Sequence, residues 1–309
     1  MKKISILCPC MNEEENVVPL CYDIINELEV NLPNYDYEII FIDNSSVDNT
    51  KNLIRELCQK NKKVKAIFNA KNYNSNSGVY GLLQTNGDCT ISMCTDFQNP
   101  VEMLHIMVRE WEKGYNVVCG VKTSSKENKI MYKIRSIYYK IIKKYSSVEQ
   151  IEHFTGFALY DRRFIEILRD LKDPYPYLRG IVSEFAYKRK DVEFEQPKRR
   201  AGKSKMKMSS LYNTAMNGFT SYTKVWLRFG MILGIIGATL SVLFEIFYCI
   251  LCLALGAAIQ GWGIIAGLVI FIGSIQLFFL GIAGEYIMNI NIRVMNRPLV
   301  IEEERINFE

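Results

Sequence analysis

Two long apolar stretches in the last third of the chain constrain its fold more than any other sequence feature. Residues 229–256 contain one charged residue, Glu245, and residues 261–284 contain none. About 20 apolar residues cross the hydrocarbon core of a bilayer as a helix, so each stretch is long enough to span a membrane. The sequence therefore predicts four consecutive segments: a water-soluble domain at residues 1–206, a juxtamembrane amphipathic helix at 207–228, two transmembrane helices within 229–292 and a tail at 293–309.

Charges around the two apolar stretches predict their orientation. Their connection, residues 257–260, is uncharged, whereas basic residues flank the outer ends: Lys203, Lys205, Lys207, Lys224, Arg228, Arg293 and Arg297. Because positively charged flanks stay in the cytoplasm, we expect a helical hairpin in the inner, cytoplasmic membrane with both termini in the cytoplasm. We expect no secretory signal before the soluble domain. The nine cysteines lack paired zinc-site spacings, which is typical of a reducing compartment.

The soluble domain alternates short apolar runs with helical patterns. Strands joined by helices indicate an α/β fold with a mainly parallel sheet and helices on both faces. Ligands of such sheets bind beyond the carboxyl ends of the strands, where Pro9, Asp43 and Asp96 lie. The strands are predicted at residues 4–8, 37–42, 64–68, 90–93 and 117–121, and the helices at 12–32, 49–60, 78–85 and 100–113.

Missing motifs exclude several common chemistries. The sequence has neither the G-x-G-x-x-G motif of dinucleotide binding nor a P-loop. It contains only two histidines, so catalysis that depends on histidine has little support.

Two strongly basic segments lie within the soluble domain and at its end. Residues 122–144 carry a net charge of +7 and residues 188–207 a net charge of +6, in a chain whose total is +5. Such segments indicate anionic partners, namely membrane lipid, a phosphorylated substrate or nucleic acid, or else they form solvated surfaces. The neighbouring apolar stretches favour lipid headgroups or a phosphorylated ligand, and we expect no nucleic-acid partner.

Part of the first basic segment has the pattern of an amphipathic helix. Between residues 129 and 145, isoleucines and tyrosines recur at helical spacing while five lysines cover the remaining faces. Such a helix is expected to lie in the membrane interface. The alternative is a helix that covers the core of the sheet.

Three motifs at the predicted strand ends resemble glycosyltransferase family 2. They are Pro-Cys-Met-Asn-Glu at 9–13, Asp-Asn-Ser-Ser-Val-Asp-Asn-Thr at 43–50 and Asp-Phe-Gln-Asn-Pro at 96–100. Further segments and the two terminal apolar stretches are similar to those of polyprenyl-phosphate glycosyltransferases of the dolichol-phosphate mannose synthase and bactoprenol glucosyltransferase kind. These further segments are residues 155–162, 174–180 and 196–205.

The resemblance implies a fold, a reaction and an assembly. It implies a Rossmann-like GT-A domain that transfers a sugar from a nucleotide-diphosphate sugar, with a UDP-sugar favoured, to a polyprenyl phosphate. The transfer would invert the configuration at the anomeric carbon of the sugar. The acceptor would be undecaprenyl phosphate at the cytoplasmic membrane face, for assembly or modification of a cell-surface glycan. It also implies a homo-oligomer, with a tetramer as the first choice.

The resemblance also implies which residues hold the donor. The nucleotide sugar would contact Pro9, Met11, Glu13, Asp43, Asn44 and Asp96. A divalent metal, Mg²⁺ or Mn²⁺, would bind at Asp96 and Gln98 in the element that corresponds to the family's D-x-D-x-Q. In this chain Cys94 replaces the first acid of that element, and a thiol is a poor ligand for a hard cation. The alternative role for Asp96 is a helix N-cap before Pro100.

The acceptor requires cations rather than a base, because a phosphate monoester is already an anion near neutral pH. The expected catalytic residues are Asp96, Arg200 and Lys205, and the last two would also bind the lipid phosphate. Arg179, Lys203 and Ser204 complete the predicted lipid-phosphate site. The alternative for this basic segment is attraction to the membrane surface alone.

Two other functions remain open. A processive polysaccharide synthase would need more membrane spans and usually a Gln-x-x-Arg-Trp element, which this chain lacks. A catalytically weak membrane protein that binds nucleotide sugars is suggested by Cys94 and Asn44. Within the hairpin, Glu245 is predicted to face Ser274 and Gln276 or a neighbouring protomer, because an acid in hydrocarbon costs roughly 2.5–3.5 kcal/mol. An acid beside a water defect is the alternative.

Overall fold

The computed structural model describes most of the soluble domain and the C-terminal region. The described residues are 1–123, 148, 151, 154–200, 216–218, 220–222 and 262–308, with isolated positions between 232 and 254. Several predictions therefore concern residues outside the described part of the chain: the amphipathic helix at 129–145, Lys203, Ser204, Lys205 and Glu245.

Eight strands form a single mixed sheet. They are β1 (Lys3–Cys10), β2 (Asp36–Asp43), β3 (Val64–Asn69), β4 (Cys89–Ser92), β5 (Val117–Lys122), β6 (Phe154–Asp161), β7 (Arg189–Phe194) and β8 (Glu302–Ile306). Their order is β7-β5-β6-β4-β1-β2-β3-β8. The central strands β4, β1, β2 and β3 are parallel, as are β5 and β7, whereas β6 and β8 run antiparallel to their neighbours. The predicted mainly parallel sheet is confirmed.

Helices cover both faces of this sheet. The described helices are α1 (Val17–Asn31), α2 (Thr50–Lys60), α3 (Ser75–Leu83), α4 (Met103–Glu112), α5 (Arg162–Leu171), α6 (Leu178–Phe185) and α7 (Trp262–Val294). Apolar residues of α1, α2 and α4 pack on one face, and those of α3, α5 and α6 pack on the other. Burial on both faces explains why β2 is an almost continuous apolar run instead of an alternating one.

Two helices begin later in the chain than their sequence patterns predict. The residues before each of them lie in loops at the edge of the sheet. α1 begins at Val17, not at Asn12, because Asn12 has a left-handed backbone conformation, with a φ of 55°, that a right-handed helix cannot contain. The backbone N–H groups of Asn12 and Glu13 donate to the side chains of Ser46, after β2, and Thr50, the first residue of α2. α4 begins at Met103 instead of Pro100. The residues that precede each helix therefore form loops at the carboxyl ends of β1 and β4.

The C-terminal tail adds a strand that the sequence analysis did not predict. β8 pairs antiparallel with β3 at the edge of the sheet. Glu303 and Glu304 form ion pairs of 2.7 Å with Lys51 and Arg55 of α2. The Asn307 amide donates to two backbone carbonyl groups at 2.8 Å. The tail is thus part of the soluble domain's sheet.

Among the described residues, the long helix α7 contains the segment that could span a membrane. Within them, one segment, Ile275–Val294, is long and apolar enough to cross a membrane, and 6% of its apolar window is buried. This single segment does not confirm the two-helix hairpin, since most of the first stretch lies outside the described residues. Near the end of α7, Arg293 lies 3.3 Å from Asp173 of the soluble domain.

Candidate active site

Three loops meet at the carboxyl edge of the sheet, after the neighbouring strands β4, β1 and β2. Cys10 at the end of β1 lies opposite Asp43 at the end of β2. Of seven described non-glycine residues with positive φ, four lie in loops at this edge: Asn12 (55°), Ser45 (64°), Asn74 (52°) and Phe97 (61°). Such conformations cost energy and concentrate at functional sites. The edge is therefore the candidate active site.

Asp43 is the last residue of β2 and is completely buried. The backbone N–H of Ser46 donates to its Oδ2 at 2.9 Å, and the Ser46 hydroxyl donates to its Oδ1. Burial raises the pKa of the Asp43 carboxyl above its usual 3.8, and the two bonds from Ser46 oppose that rise. In this arrangement Asp43 holds the loop that follows its own strand, and its predicted contact with a nucleotide stays a prediction.

The loop after β1 is joined to the loop after β2. The backbone N–H groups of Asn12 and Glu13 donate to the hydroxyls of Ser46 and Thr50 at 2.7 and 2.8 Å. In return, the backbone N–H of Val47 donates to the Asn12 side chain at 2.7 Å. The side chain of Glu13 accepts a bond of 2.6 Å from Asn16. These bonds fix the loop after β1, which contains Met11 and Glu13, two of the residues predicted to bind the nucleotide sugar.

Asn44 uses both ends of its carboxamide. Its oxygen accepts from the backbone N–H of Tyr73 at 2.8 Å and from Asn69 at 3.3 Å. Its nitrogen donates to the Asn72 side chain at 2.9 Å and to the backbone oxygen of Asn74 at 3.4 Å. Asn44 therefore organises the loop after β3. That loop also contacts Met11, a residue predicted to bind the nucleotide sugar: the Met11 sulfur lies 3.1 Å from the Asn72 amide nitrogen.

Asp96 lies in the loop after β4 and is 5% exposed. Its Oδ1 accepts from the backbone N–H of Gln98 at 3.1 Å. Its Oδ2 is 2.6 Å from a guanidinium nitrogen of Arg199. The N-cap position of α4 is Glu102, so the alternative that Asp96 caps this helix is wrong. Asp96 instead joins the loop after β4 to the basic segment after β7.

The loop around Asp96 is fixed by its neighbours. The Thr95 hydroxyl donates to the Pro9 carbonyl at 3.0 Å, and the Asn99 side chain accepts from the backbone N–H of Cys94 at 2.7 Å. The Cys94 side chain is exposed. Pro9 thus contributes its carbonyl group to the loop that holds Asp96.

The side chains around Asp96 can hold a divalent metal only if a bound substrate supplies further coordinating oxygens. Among the described residues, no group of three or more His, Cys, Asp or Glu side chains could hold a metal ion. Mg²⁺ is commonly held by one or two carboxylates together with substrate phosphates. The Asp96 carboxylate and the nearby Gln98 amide therefore suit Mg²⁺ or Mn²⁺ if a diphosphate supplies the remaining oxygens.

Cations approach the same loop from the segment after β7. The guanidinium carbon of Arg200 lies 5.0 Å from the centre of the Phe97 ring, and the Arg200 backbone N–H is 3.5 Å from the Asp96 carbonyl oxygen. Lys122 at the end of β5 holds this segment through a 2.7 Å bond to Gln196. Arg179, another predicted phosphate ligand, lies in the first turn of α6.

The structure places most of the residues predicted to bind the nucleotide sugar at the carboxyl edge of the sheet. It also places other residues there that the prediction did not include. The predicted residues at this edge are Pro9, Met11, Glu13, Asp43, Asn44, Asp96, Gln98 and Arg200. The sequence indicates a role for the basic segment as a whole but none for Arg199 alone. It does not single out Ser46 or Thr95 as site residues. Their sequence signal is their position, since Ser46 lies three residues after Asp43 and Thr95 directly precedes Asp96.

The chain is similar in sequence to known proteins over most of its length. The model of "Glycosyl transferase family 2" matches residues 5–169. The SfII prophage-derived bactoprenol glucosyl transferase of Shigella flexneri is 30% identical over 97% of both chains. A putative glycosyltransferase of Bacillus subtilis is 31% identical over 97% of this chain and 91% of its own. A solved structure, glucosyl-3-phosphoglycerate synthase from Mycobacterium tuberculosis, matches with TM-score 0.47 and 13% identity over 71% of this chain and 76% of that chain.

Proposed function

Since this chain belongs to glycosyl transferase family 2, we propose that it transfers a sugar from a nucleotide-diphosphate sugar to a polyprenyl phosphate. The favoured donor is a UDP-sugar and the favoured acceptor is undecaprenyl phosphate. The reaction takes place at the cytoplasmic face of the inner membrane and serves assembly or modification of a cell-surface glycan. The observation that carries this proposal is the near-full-length similarity to relatives named bactoprenol glucosyl transferase.

The geometry at Asp96 supports the same reaction. Both substrates carry negative charge, so the site must bring cations to both of them. Asp96 can hold a divalent cation, which would neutralise the donor diphosphate as the sugar leaves it. Arg200 lies over Phe97 of the same loop and Arg199 pairs with Asp96 itself. Both are placed to serve the diphosphate or the acceptor phosphate, Arg199 once it has left the carboxylate. Lys205, Lys203, Ser204 and Arg179 are proposed to extend this cationic surface.

The proposed chemical step is a single displacement with inversion. An oxygen of the acceptor phosphate attacks the anomeric carbon while the bond from that carbon to the donor diphosphate breaks. The attacking oxygen is already anionic, so no residue has to remove a proton from it. The roles of the protein are therefore positioning and charge neutralisation.

The proposed setting is a membrane-anchored oligomer. The exposed apolar surface of α7 supports contact with lipid or with other transmembrane helices. The predicted hairpin, interfacial helix and tetramer belong to this proposal. Because β8 follows α7 and joins the sheet, membrane insertion of α7 would hold the soluble domain close to the bilayer.

The test is a transfer assay with the purified full chain in lipid nanodiscs. Labelled UDP- and GDP-sugars are each offered with undecaprenyl phosphate, with and without EDTA. We expect one UDP-sugar to give a labelled lipid product, and we expect EDTA to abolish it. Asp96→Asn serves as the inactive control.

One observation favours a second function. The exposed Cys94 leaves Asp96 as the single carboxylate among residues 93–99 of the loop after β4, which suits a catalytically weak protein that binds nucleotide sugars. Tight binding of a UDP-sugar without any lipid product, in all lipids and sugars of the panel, would favour this alternative over transfer.

A further inference from the structure

The Asp96 carboxylate is shared between two parts of the chain. Its Oδ1 faces the backbone N–H of Gln98, which belongs to its own loop. Its Oδ2 faces Arg199, which comes from the segment after β7. The Asp96 side chain is 7% exposed and the Arg199 side chain 25% exposed. The ion pair is therefore shielded from much of the solvent that weakens surface pairs.

Arg199 and a divalent cation would share one buried carboxylate. An ionised carboxylate has about four lone-pair positions, of which the Gln98 N–H takes one on Oδ1 and an Arg199 nitrogen at 2.6 Å takes one on Oδ2. A guanidinium and a divalent ion on one carboxylate repel each other strongly when water is largely excluded. A cation that coordinates through Oδ2 therefore has to displace the guanidinium.

We propose that Arg199 is a positioning residue that competes with the divalent cation for Oδ2 of Asp96. Metal binding expels the guanidinium from the carboxylate, and the released Arg199 then pairs with an anionic phosphate of a substrate. This inference rests on the proposed function, because the metal and the phosphates belong to that reaction. Its consequence is an order of events, in which metal and donor diphosphate bind before Arg199 becomes available to a phosphate.

The neighbouring contacts determine how Arg199 can move. Arg200 is held over Phe97, and its backbone N–H is directed at the Asp96 carbonyl oxygen. Lys122 holds Gln196 on the other side. The backbone of the segment is therefore tied at both ends, so the exchange is a rotation of the Arg199 side chain and leaves the segment in place.

The test measures Mn²⁺ binding to the full chain in detergent by electron paramagnetic resonance of the free ion, at a fixed concentration of UDP and against a protein-free blank. UDP supplies the diphosphate oxygens that the site needs. Arg199→Gln removes the competing charge but keeps a side chain of similar length. We expect it to tighten Mn²⁺ binding roughly tenfold, the factor expected when one charged hydrogen bond no longer has to be broken. Lys198→Gln is the matched control because it removes the same charge from an exposed neighbouring residue, and we expect a change below about twofold.

Two further variants keep the test decisive. Arg199→Lys retains the charge and should leave Mn²⁺ affinity within about threefold of wild type, which also covers the case in which Arg199→Gln does not fold. In an Asp96→Asn background, Arg199→Gln should change Mn²⁺ affinity by less than about twofold, since the shared carboxylate is gone.

Three results would overturn the proposal. They are equal Mn²⁺ affinity in Arg199→Gln and wild type, an equal gain in Lys198→Gln, and a gain that persists in the Asp96→Asn background. The assay contains neither donor nor acceptor, so these results would leave the transfer reaction standing. A wild-type protein that transfers no sugar would instead contradict the proposed function while the Mn²⁺ titration remained interpretable.

Discussion

Asp43 and Asp96 are the same residue type at the same edge of the sheet, yet their surroundings differ. They follow β2 and β4, the two strands that flank β1. Both are almost completely buried, at 0% and 5% exposure. Both oxygens of Asp43 accept bonds from Ser46, in its own loop. One oxygen of Asp96 instead pairs with Arg199, from a distant part of the chain.

The difference separates a carboxylate held by its own loop from one held by a distant segment. Ser46, the partner of both Asp43 oxygens, lies three residues further along the chain. The partner of Asp96 is a long side chain that can rotate away without breaking the local backbone. Burial alone therefore does not distinguish the two acids, whereas the origin of their partners does.

The largest expected effect is that of Asp96→Asn on transfer. The amide keeps an oxygen for the Gln98 N–H, but it loses the charge that pairs with Arg199 and that is proposed to hold the metal. A lost metal ligand removes several kcal/mol of transition-state stabilisation, so we expect kcat to fall at least a hundredfold while the fold survives. Turnover is measured with the preferred UDP-sugar, and thermal unfolding serves as the control. Near-normal turnover would contradict the proposed role of Asp96 in metal binding.

The contrast between the two aspartates also marks what the sequence could predict. The strand-end positions of Asp43 and Asp96 followed from apolar runs and from the rule that parallel strands end at one edge. The two roles did not, because partners such as Arg199 are set by how a distant segment packs. Arg199 and Arg200 are adjacent and chemically identical in the sequence, and only the fold decides which one faces the carboxylate.

The same limit explains β8 and the late start of α1. The charged residues of β8 hide its pattern, and its partners Lys51 and Arg55 come from α2, far away in the chain. The acidic residues after Asn12 resemble a helix start, but Asn12 has a left-handed backbone with a φ of 55°, and its N–H and that of Glu13 bond to Ser46 and Thr50. Local propensity is overridden where contacts with a distant part of the chain hold the backbone in another conformation.

The second largest effect is expected in the pH dependence of stability, through Asp43→Asn. The amide keeps one oxygen but no longer offers acceptors to both the Ser46 N–H and the Ser46 hydroxyl, so Asp43→Asn should destabilise the protein by about 1–3 kcal/mol near neutral pH. The pKa of Asp43 is raised in the folded protein, so the folded state binds this proton more tightly than the unfolded state. Wild type should therefore gain stability relative to Asp43→Asn as the pH falls through the raised pKa towards 3.8. Denaturant unfolding at several pH values measures this difference.

Asp36→Asn is the matched control, with the opposite sign. The pKa of Asp36 is lowered, chiefly by its hydrogen bond from Lys63. The stability that Asp36 contributes is present above pH 3.8 and is lost as the pH falls through the lowered pKa. A wild-type advantage that shrinks on acidification for both variants would refute the raised pKa of Asp43.

A smaller effect is expected from Asn44→Asp, which tests whether the loop after β3 serves the donor. The carboxylate can still accept from Tyr73 and Asn69, but it can no longer donate to Asn72 and Asn74. We expect the KM for the donor to rise about fivefold to tenfold with kcat nearly unchanged, since a displaced binding loop weakens binding before chemistry. Asn61→Asp is the control, because its side-chain oxygen still accepts from the Lys63 N–H. A fall in kcat alone would place Asn44 with Asp96 instead.

The smallest effect is expected from Cys94→Ala, and it sharpens the comparison of the two aspartates most. The Cys94 side chain is exposed, and the bond that fixes this residue comes from its backbone N–H to Asn99. Alanine keeps that N–H, so the loop that holds Asp96 should stay in place and turnover should change less than about twofold. Asn99→Ala is the opposite case, because it keeps the thiol but removes the acceptor from Cys94, and we expect it to lower turnover more than Cys94→Ala does. If Cys94→Ala instead matches Asp96→Asn in its loss, the sulfur takes part in cation binding, and the loop has a ligand beyond the proposed Asp96 and Gln98.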